Sequence, residues 1–295
     1  MSLLKARNCP ICGGRPAGPT FPYATQFNDA YFVYLICCKC KSVFVDPVPN
    51  EQTFEMMYAK SAYHDCFYDG DKGIDYSESV HLLRQHLEPS ATVLDYGCGV
   101  GDFLKACRSQ EFLPVGVEFD GDAAVFAATN ANCVVMTVED FSKLNRTSSF
   151  DAIHLGDVLE HLPDPMGTLL RLLDYLKPGG VLFLEGPLEV NPSPVLWASQ
   201  TFGRVKRIFK PSHIANDSPT HLFRTCANSQ KAFFKRVDKG LSMRYWQVYE
   251  TGWPYYRSGN LIKRSIAILA VLISGRNFAG VTFGNRFKAI MVKKY

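Results

Sequence analysis

No apolar stretch in this sequence approaches the ~20 residues that a bilayer-spanning helix needs; the best candidate, residues 266–273, is far too short. No secretory leader is legible either, because residues 1–10 are polar and run straight into a cysteine pair. Charge of one sign is scarce. The 32 Lys and Arg against 28 Asp and Glu leave a net +4, too little by itself to argue for a nucleic-acid partner. No internal repeat is present. A composition of 47% hydrophobic and 20% charged residues excludes disorder, collagen and coiled coil as descriptions of the whole chain. What remains is an ordinary globular chain of 295 residues, with room for about two domains. The expected setting is cytoplasmic, with any membrane contact confined to the surface.

Cysteine, by contrast, is unevenly placed. Of the ten, Cys9, Cys12, Cys37, Cys38 and Cys40 crowd into the first 40 residues. Without an export signal such a cluster reads as metal binding before disulfides. Cys9-x-x-Cys12 and Cys37-x-x-Cys40 form two knuckles, and four thiolates suit a closed structural zinc site with no open position for catalysis. Cys38 falls outside that spacing. Free thiols or two disulfides are the alternative.

Residues 1–50 therefore read as a small cysteine module, 51–90 as a helical connector and 91–295 as an α/β domain. Within the connector, 53–58 and 76–87 are expected helices; Val80, Leu83 and Leu87 share one face of the second, and Pro89 closes it. From Thr92 onward short apolar strands alternate with helices. Strands are expected at 92–96, 114–118, 133–137, 150–155 and 181–184, and helices at 103–109, 123–129 and 166–176. Short links between them indicate a parallel sheet. Residues 187–220, rich in Pro, Ser and Asn, read as a long loop or insertion. Helices at 229–235 and 261–273 and strands at 241–249 and 286–292 complete the expected elements.

The strongest chemical signal is Asp95-Tyr96-Gly97-Cys98-Gly99-Val100-Gly101, between a strand and a helix. Glycines let the backbone turn sharply and approach a ligand, since no Cβ intervenes. Such ligands sit outside the carboxyl ends of the strands. The dinucleotide fingerprint is G-x-G-x-x-G, but here the spacing is G-x-G-x-G and the next residue is Asp102. A carboxylate there would repel a pyrophosphate at the helix start. S-adenosylmethionine carries no phosphate and meets no such penalty. Glu118, ending the second strand, can accept both ribose hydroxyl protons. Val138-Glu139-Asp140 suits the adenine edge, and Leu155-Gly156-Asp157 would floor the methionine part.

The stretches VLDYGCGVGDFL, VGVEFD, FDAIHLGDVLEHLPDP and LKPGGVLFLEGP resemble the class I S-adenosylmethionine-dependent methyltransferases over roughly residues 75–190. They are similar in particular to the branch with ubiquinone-biosynthesis O-methyltransferases and glycan-cluster methyltransferases. The resemblance implies a Rossmann-like, seven-stranded, mostly parallel sheet with an antiparallel last strand. It also implies cofactor contacts at Asp95, Gly97, Cys98, Gly99, Gly101, Glu118, Phe119, Val138, Glu139, Leu155 and Gly156.

Methyl transfer to a hydroxyl needs alignment and removal of a proton. His161, in the segment Asp157-Val158-Leu159-Glu160-His161, has a suitable reference pKa. Relatives of the ubiquinone branch carry a similar acidic pair followed by Glu-His that can bind a divalent metal. Asp157, Glu160 and His161 match it, with Asp in place of the usual first Glu. A base, a metal ligand set and a structural cap for the turn are the three readings of this segment. His221, before Leu222-Phe223, is a second candidate base, because in related enzymes a His-Leu-aromatic stretch lines the acceptor pocket. His154, inside a strand, reads as structural.

Cysteine modules similar to this one occur in sugar C-methyltransferases and in some ribosomal-RNA methyltransferases. In the former, a Pro-containing strand and tyrosine-rich helices follow, as do Asp46-Pro47 and Tyr58 to Tyr63 here. Those tyrosines either close over an acceptor or pack the module on the α/β domain. The expected acceptor is a small molecule, a sugar or glycan-precursor hydroxyl, either free or nucleotide- or lipid-linked; the alternative is a ribosomal-RNA methyltransferase, against which the weak net charge argues. Arg204, Lys206, Arg207 and Lys210, interleaved with Phe202, Val205, Ile208 and Phe209, read as a helix on an anionic membrane, a phosphate contact or a solvated face.

Overall fold

The structure is a computed structural model; it describes residues 6–58, 74–144, 147–210, 214–237, 240–258 and 260–294. Tyr63 lies outside the described residues. The chain begins with three strands, β1 (Pro16–Phe27), β2 (Ala30–Cys37) and β3 (Val43–Asp46), followed by helices α1 (Glu51–Tyr58) and α2 (Ser77–Arg84). An alternation follows: β4 (Thr92–Tyr96), α3 (Asp102–Ser109), β5 (Leu113–Glu118), α4 (Gly121–Ala131), β6 (Val134–Thr137), α5 (Val138–Ser142), β7 (Phe150–Gly156), α6 (Pro165–Tyr175) and β8 (Leu176–Pro187). The remainder comprises α7 (Pro194–Phe209), β9 (Ala215–Asn216), β10 (Phe223–Arg224), α8 (Ala227–Val237), β11 (Leu241–Tyr249), α9 (Tyr255–Ser258), α10 (Leu261–Leu272), β12 (Asn277–Phe278), β13 (Val281–Thr282) and β14 (Arg286–Lys293).

The large sheet has seven strands in the order β11-β14-β8-β7-β4-β5-β6. Strands β8, β7, β4, β5 and β6 pair in parallel, whereas β14 runs antiparallel to both of its neighbours. This is the Rossmann-like sheet with an antiparallel last strand that the sequence implied. Its central strands are apolar because helices cover both faces: Val93, Leu94, Ile153 and Leu182 are fully buried. Helix α6 starts where Asp164 accepts a hydrogen bond from Gly167 N and Pro165 takes the first turn; its Leu169, Leu172 and Leu173 face the core. Helix α4 buries only alanines at 123, 124, 127 and 131, which lets it lie close to the turn after β4.

A second sheet, ordered β10-β3-β2-β1-β9, forms around the N-terminal strands. Its outer members β9 and β10 come from residues after β8, so the two parts of the chain share this sheet. Where a long irregular insertion was expected at 187–220, the structure has the 16-residue helix α7. The Ser and Pro that suggested a loop are its start signal. Ser193 caps the helix through Val195 N at 3.2 Å, and Pro194 occupies the first helical position.

At the centre of the large sheet, His154 of β7 is buried and stacked on Phe103, ring centroids 3.7 Å apart. Its Nδ1 lies 2.7 Å from Asp95 Oδ1 on β4 and its Nε2 3.1 Å from Glu185 Oε1 on β8. Ser79 of α2 donates to the other Glu185 oxygen. Burial disfavours the imidazolium, but the carboxylates of Asp95 and Glu185 outweigh it and raise His154 to about 9. A raised histidine stabilises the fold fully below its unfolded pKa of about 6.5 and loses that contribution as pH climbs through the folded value. Urea unfolding at pH 6 and pH 10 should therefore show the wild type losing more stability than His154→Gln. The substitution itself should cost about 3–5 kcal/mol at pH 6, since it strips a partner from buried carboxylates. Equal losses in the two proteins would contradict this.

Candidate active site

Strand β4 ends at Tyr96 and the chain turns into α3 through the glycines. At Gly97 φ is +82°, and a Cβ would strike Val158. At Gly101, the left-handed cap of α3, φ is +86° and a Cβ would lie 3.0 Å from Ala127 O. Both positions therefore need glycine. Gly99 N donates to Glu118 Oε2 and Phe119 N to Glu118 Oε1, each at 2.7 Å. Burial pushes the Glu118 carboxyl up from its ordinary value, against the pull of these amides.

The turn borders a cavity of about 2180 Å³ at the carboxyl ends of the parallel strands. Gly97, Cys98, Gly99, Glu118, Phe119 and Gly156 line it, as do Val138 and Glu139 at the start of α5. The Cys98 thiol is packed among Leu104, Ala127 and Ala131. Glu139 is exposed and paired with Lys143 at 2.8 Å. Phe119 meets Phe54 and Tyr58 of α1 edge-on, at 5.5 and 6.0 Å between centroids. Three expected contacts do not line it: Asp95 is buried against His154, Leu155 belongs to the hydrophobic core, and Gly101 faces Ala127 of α4.

Opposite the glycine turn, the segment after β7 and the segment before β10 meet. Leu222 N donates to Glu160 O at 2.8 Å, which sets His221 beside His161, ring centroids 4.8 Å apart. His161 Nδ1 lies 2.9 Å from Thr220 O and 2.8 Å from Tyr58 Oη. Burial, helped by the charge of His221, lowers His161 to about 3 and keeps it neutral. His221 donates through Nδ1 to Glu189 Oε2 at 2.7 Å. Burial alone would lower His221, but Glu189 overcomes it and raises the pKa to about 9. Burial would raise Glu189, yet Arg224 and His221 bring it down to about 2. Glu160 is raised by burial to about 8. Its buried Oε1 has no hydrogen-bond partner among the described residues and lies 3.8 Å from His161 Nε2.

Ligand atoms of Glu160, His161 and His221 all lie within 4.8 Å of one another, close enough to hold a metal ion. This differs from the expected trio with Asp157. That carboxylate is clasped by Arg286 Nη2, 2.6 Å from both of its oxygens, while Arg286 Nε donates to Tyr249 Oη at 3.1 Å. Glu189 and Arg286 escaped sequence reasoning. Glu189 lies just past the end of β8, where the carboxyl-edge rule points. Arg286 reaches Asp157 from 129 residues away and carries no local signal.

The four cysteine sulfurs also converge, within 4.8 Å of one another. Cys9 and Cys40 sulfurs are 3.7 Å apart and those of Cys12 and Cys37 3.4 Å. Gly14 N and Lys39 N each point at a sulfur, Cys12 and Cys37 respectively, at 3.4 Å.

Residues 73–263 match the profile of a family described as a methyltransferase domain. A ubiquinone biosynthesis O-methyltransferase of Xanthomonas campestris is 31% identical over 122 residues, covering 39% of this chain and 49% of that protein. Its counterpart from Saccharophagus degradans is 30% identical over 114 residues, covering 36% and 47%. The chain thus spans about half the length of the curated relatives it matches. Among solved structures, an S-adenosylmethionine-dependent methyltransferase from Methanosarcina mazei is 18% identical with a TM-score of 0.49, covering 72% of this chain and 97% of that one.

Proposed function

Because this chain belongs to the methyltransferase-domain family, within the class I S-adenosylmethionine-dependent methyltransferases, we propose that it moves the methyl group of S-adenosylmethionine to a hydroxyl of a small molecule, a sugar or glycan precursor. The observation that carries this reading is one shared cavity: the Glu118–Gly99 cradle and the His161–His221 pair both line its wall. At about 2180 Å³ it exceeds a typical small-molecule site of ~300–1,000 Å³, leaving room for a bulky acceptor beside the cofactor.

The residues present fit the cofactor. Gly97 and Gly99 put bare backbone on the cavity wall, and the Glu118 carboxylate stands where ribose hydroxyls can be bound. The sulfonium supplies an activated methyl group, so the protein's task is alignment and proton removal. Phe119, Phe54 and Tyr58 wall the acceptor side with rings. His221 serves as the proton acceptor, because Glu189 fixes its Nδ1–H and leaves Nε2 to take a proton, as in other carboxylate–histidine pairs. His161 stays neutral and orients the acceptor, with its own Nδ1 held at Thr220 O. The neutral form of His221 grows as pH rises toward its value of about 9, so turnover rises over that range.

The cysteine module fits structural zinc. A tetrahedron with Zn–S of about 2.3 Å has sulfurs about 3.8 Å apart, close to the spacing of Cys9 and Cys40 here. In this reading residues 1–50 form the zinc module, 51–90 the connector and 91–295 the catalytic domain with its insertion at 187–220. The module has a positioning role too. Strand β3 pairs with β10, directly after His221, and Val45 N donates to Leu222 O. An RNA grip finds less support: the Arg7 side chain donates through Nε to Val45 O at 2.9 Å, while its main-chain N donates to Asp46.

Calorimetry should show S-adenosylmethionine binding that weakens at least about tenfold in Glu118→Ala, the equivalent of losing one charge-assisted hydrogen bond. His221→Ala should bind the cofactor normally, lose about 10²–10⁴-fold in turnover and lose the rise between pH 7 and 9. No heat of binding at millimolar cofactor contradicts the enzyme reading. For the module, elemental analysis should find about one zinc per chain, removed by Cys9→Ser with Cys40→Ser; a metal-free protein of unchanged melting temperature contradicts the assignment.

A further inference from the structure

Helix α10 is packed the wrong way round for a water-soluble surface. It turns its small residues inward, Ala267 and Ala270, both almost wholly buried, and its large ones outward. Leu261 is 82% exposed, Ile262 68%, Leu272 64% and Leu269 53%. An ordinary amphipathic surface helix does the reverse. Helix α7 lies against α10, and Val195, Ala198, Ile266, Ala267 and Ala270 form their joint core with Tyr255. On its other side α7 is seated on β1: Phe21 presses on Gly203, and the Arg207 guanidinium sits 3.8 Å from the Tyr23 ring centroid. Helix α7 is therefore anchored, yet it too ends in apolar residues in water, Ile208 at 76% and Phe209 at 79% exposure. Phe278, on the β12–β13 hairpin, is also exposed. Large apolar side chains exposed in such number on two packed helices mark an interaction site.

The charge of this face selects the occupant. No Asp or Glu occurs between Glu189 and Asp217, and none after Glu250. Arg204, Lys206, Lys210, Arg264 and Arg276 are interspersed with the apolar residues and are exposed. A second copy of the chain docking by a two-fold axis would bring this basic surface against itself. Single-stranded nucleic acid binds through stacked aromatic rings; Phe209, Phe278 and Trp253 are exposed too, but α10 itself projects Leu, Ile and Val, which give a base nothing to stack on. Aliphatic residues ringed by cations and free of acids match the interface of an anionic bilayer. No helix among the described residues is long and apolar enough to cross one.

We propose that the α7–α10 face docks this protein on an anionic phospholipid surface, and that its acceptor is a hydroxyl carried by a lipid-linked molecule. The second half rests on the methyltransferase reading above. The placement of the cavity supports it. Val195, Leu196 and Ser199 of α7, together with Trp253 and Tyr256, line the cavity that holds the glycine turn. Trp253 is 70% exposed at this rim, the position where an indole favours a membrane interface. An acceptor standing out of the bilayer would enter beside α7 without leaving the lipid.

The test is flotation of the full-length protein with vesicles of pure phosphatidylcholine and of phosphatidylcholine with 30% phosphatidylglycerol, in low and high salt. Recovery with the anionic vesicles should exceed that with neutral ones at least about tenfold and fall in high salt. Ile268→Ser with Leu269→Ser, and separately Arg204→Glu with Lys206→Glu, should each lower the anionic partition coefficient about tenfold while cofactor affinity and melting temperature stay those of the wild type. Equal, background recovery on both vesicles overturns the docking proposal. So does a stable dimer that the α10 substitutions dissociate, or salt-dependent ribosomal-RNA binding without vesicle binding. Vesicle binding is read without any methyl transfer, so its failure is separable from a failure of cofactor binding, which would instead remove the enzyme reading.

Discussion

The carboxylate of Glu118 is held by two main-chain amides, Gly99 N and Phe119 N, and the site's geometry follows from that grip. It ties the end of β5 to the turn leaving β4, so the glycine loop cannot open without breaking a charge-assisted hydrogen bond in a half-buried setting. The turn can close on Glu118 only because Gly97 has no side chain to meet Val158. Val158, in turn, leads into Glu160 and His161. A single steric constraint thus links the glycine turn to the Glu160–His161 segment on the wall of the same cavity.

Beneath that rim, the buried His154 joins β4, β7 and β8 through Asp95 and Glu185. These are the strands whose ends carry the glycine turn, the Glu160–His161 segment and Glu189. A charged group in the centre of a sheet is expensive unless it is fully paired. Here two carboxylates pair it and Ser79 and Lys288 complete the shell. The same arrangement turns Asp95 away from the cavity, and Glu118 is the carboxylate that the loop's own Gly99 amide grips. On the far side, β3 and β10 transmit the position of the cysteine module to His221.

Much of this was legible in the sequence for physical reasons. Parallel strands buried on both faces must be apolar runs, and β4, β7 and residues 181–184 of β8 are. A turn that admits no side chain must use glycine, and paired C-x-x-C knuckles stand out from any background. What stayed hidden depends on long-range pairing or on signals with two meanings. Ser193-Pro194 reads as loop punctuation and as a helix start with equal right, and only the packing of α7 on β1 and α10 decides between them. Strands β9 and β10 are two residues each, too short for a pattern. The partner of Asp157 comes from β14, and that of His221 from beyond β8; neither pairing leaves a trace in local spacing. His161 and His221 were separate candidates in the sequence, and the fold makes them neighbours.

The central claim is that the cavity between Gly97 and His221 receives an adenosine sulfonium and its acceptor together. A crystal structure of the protein with S-adenosylhomocysteine tests it most directly. The ribose hydroxyls should lie on Glu118, with the sulfur facing the open space before His161 and His221. A product cofactor found elsewhere, or one whose sulfur points away from both histidines, would contradict it.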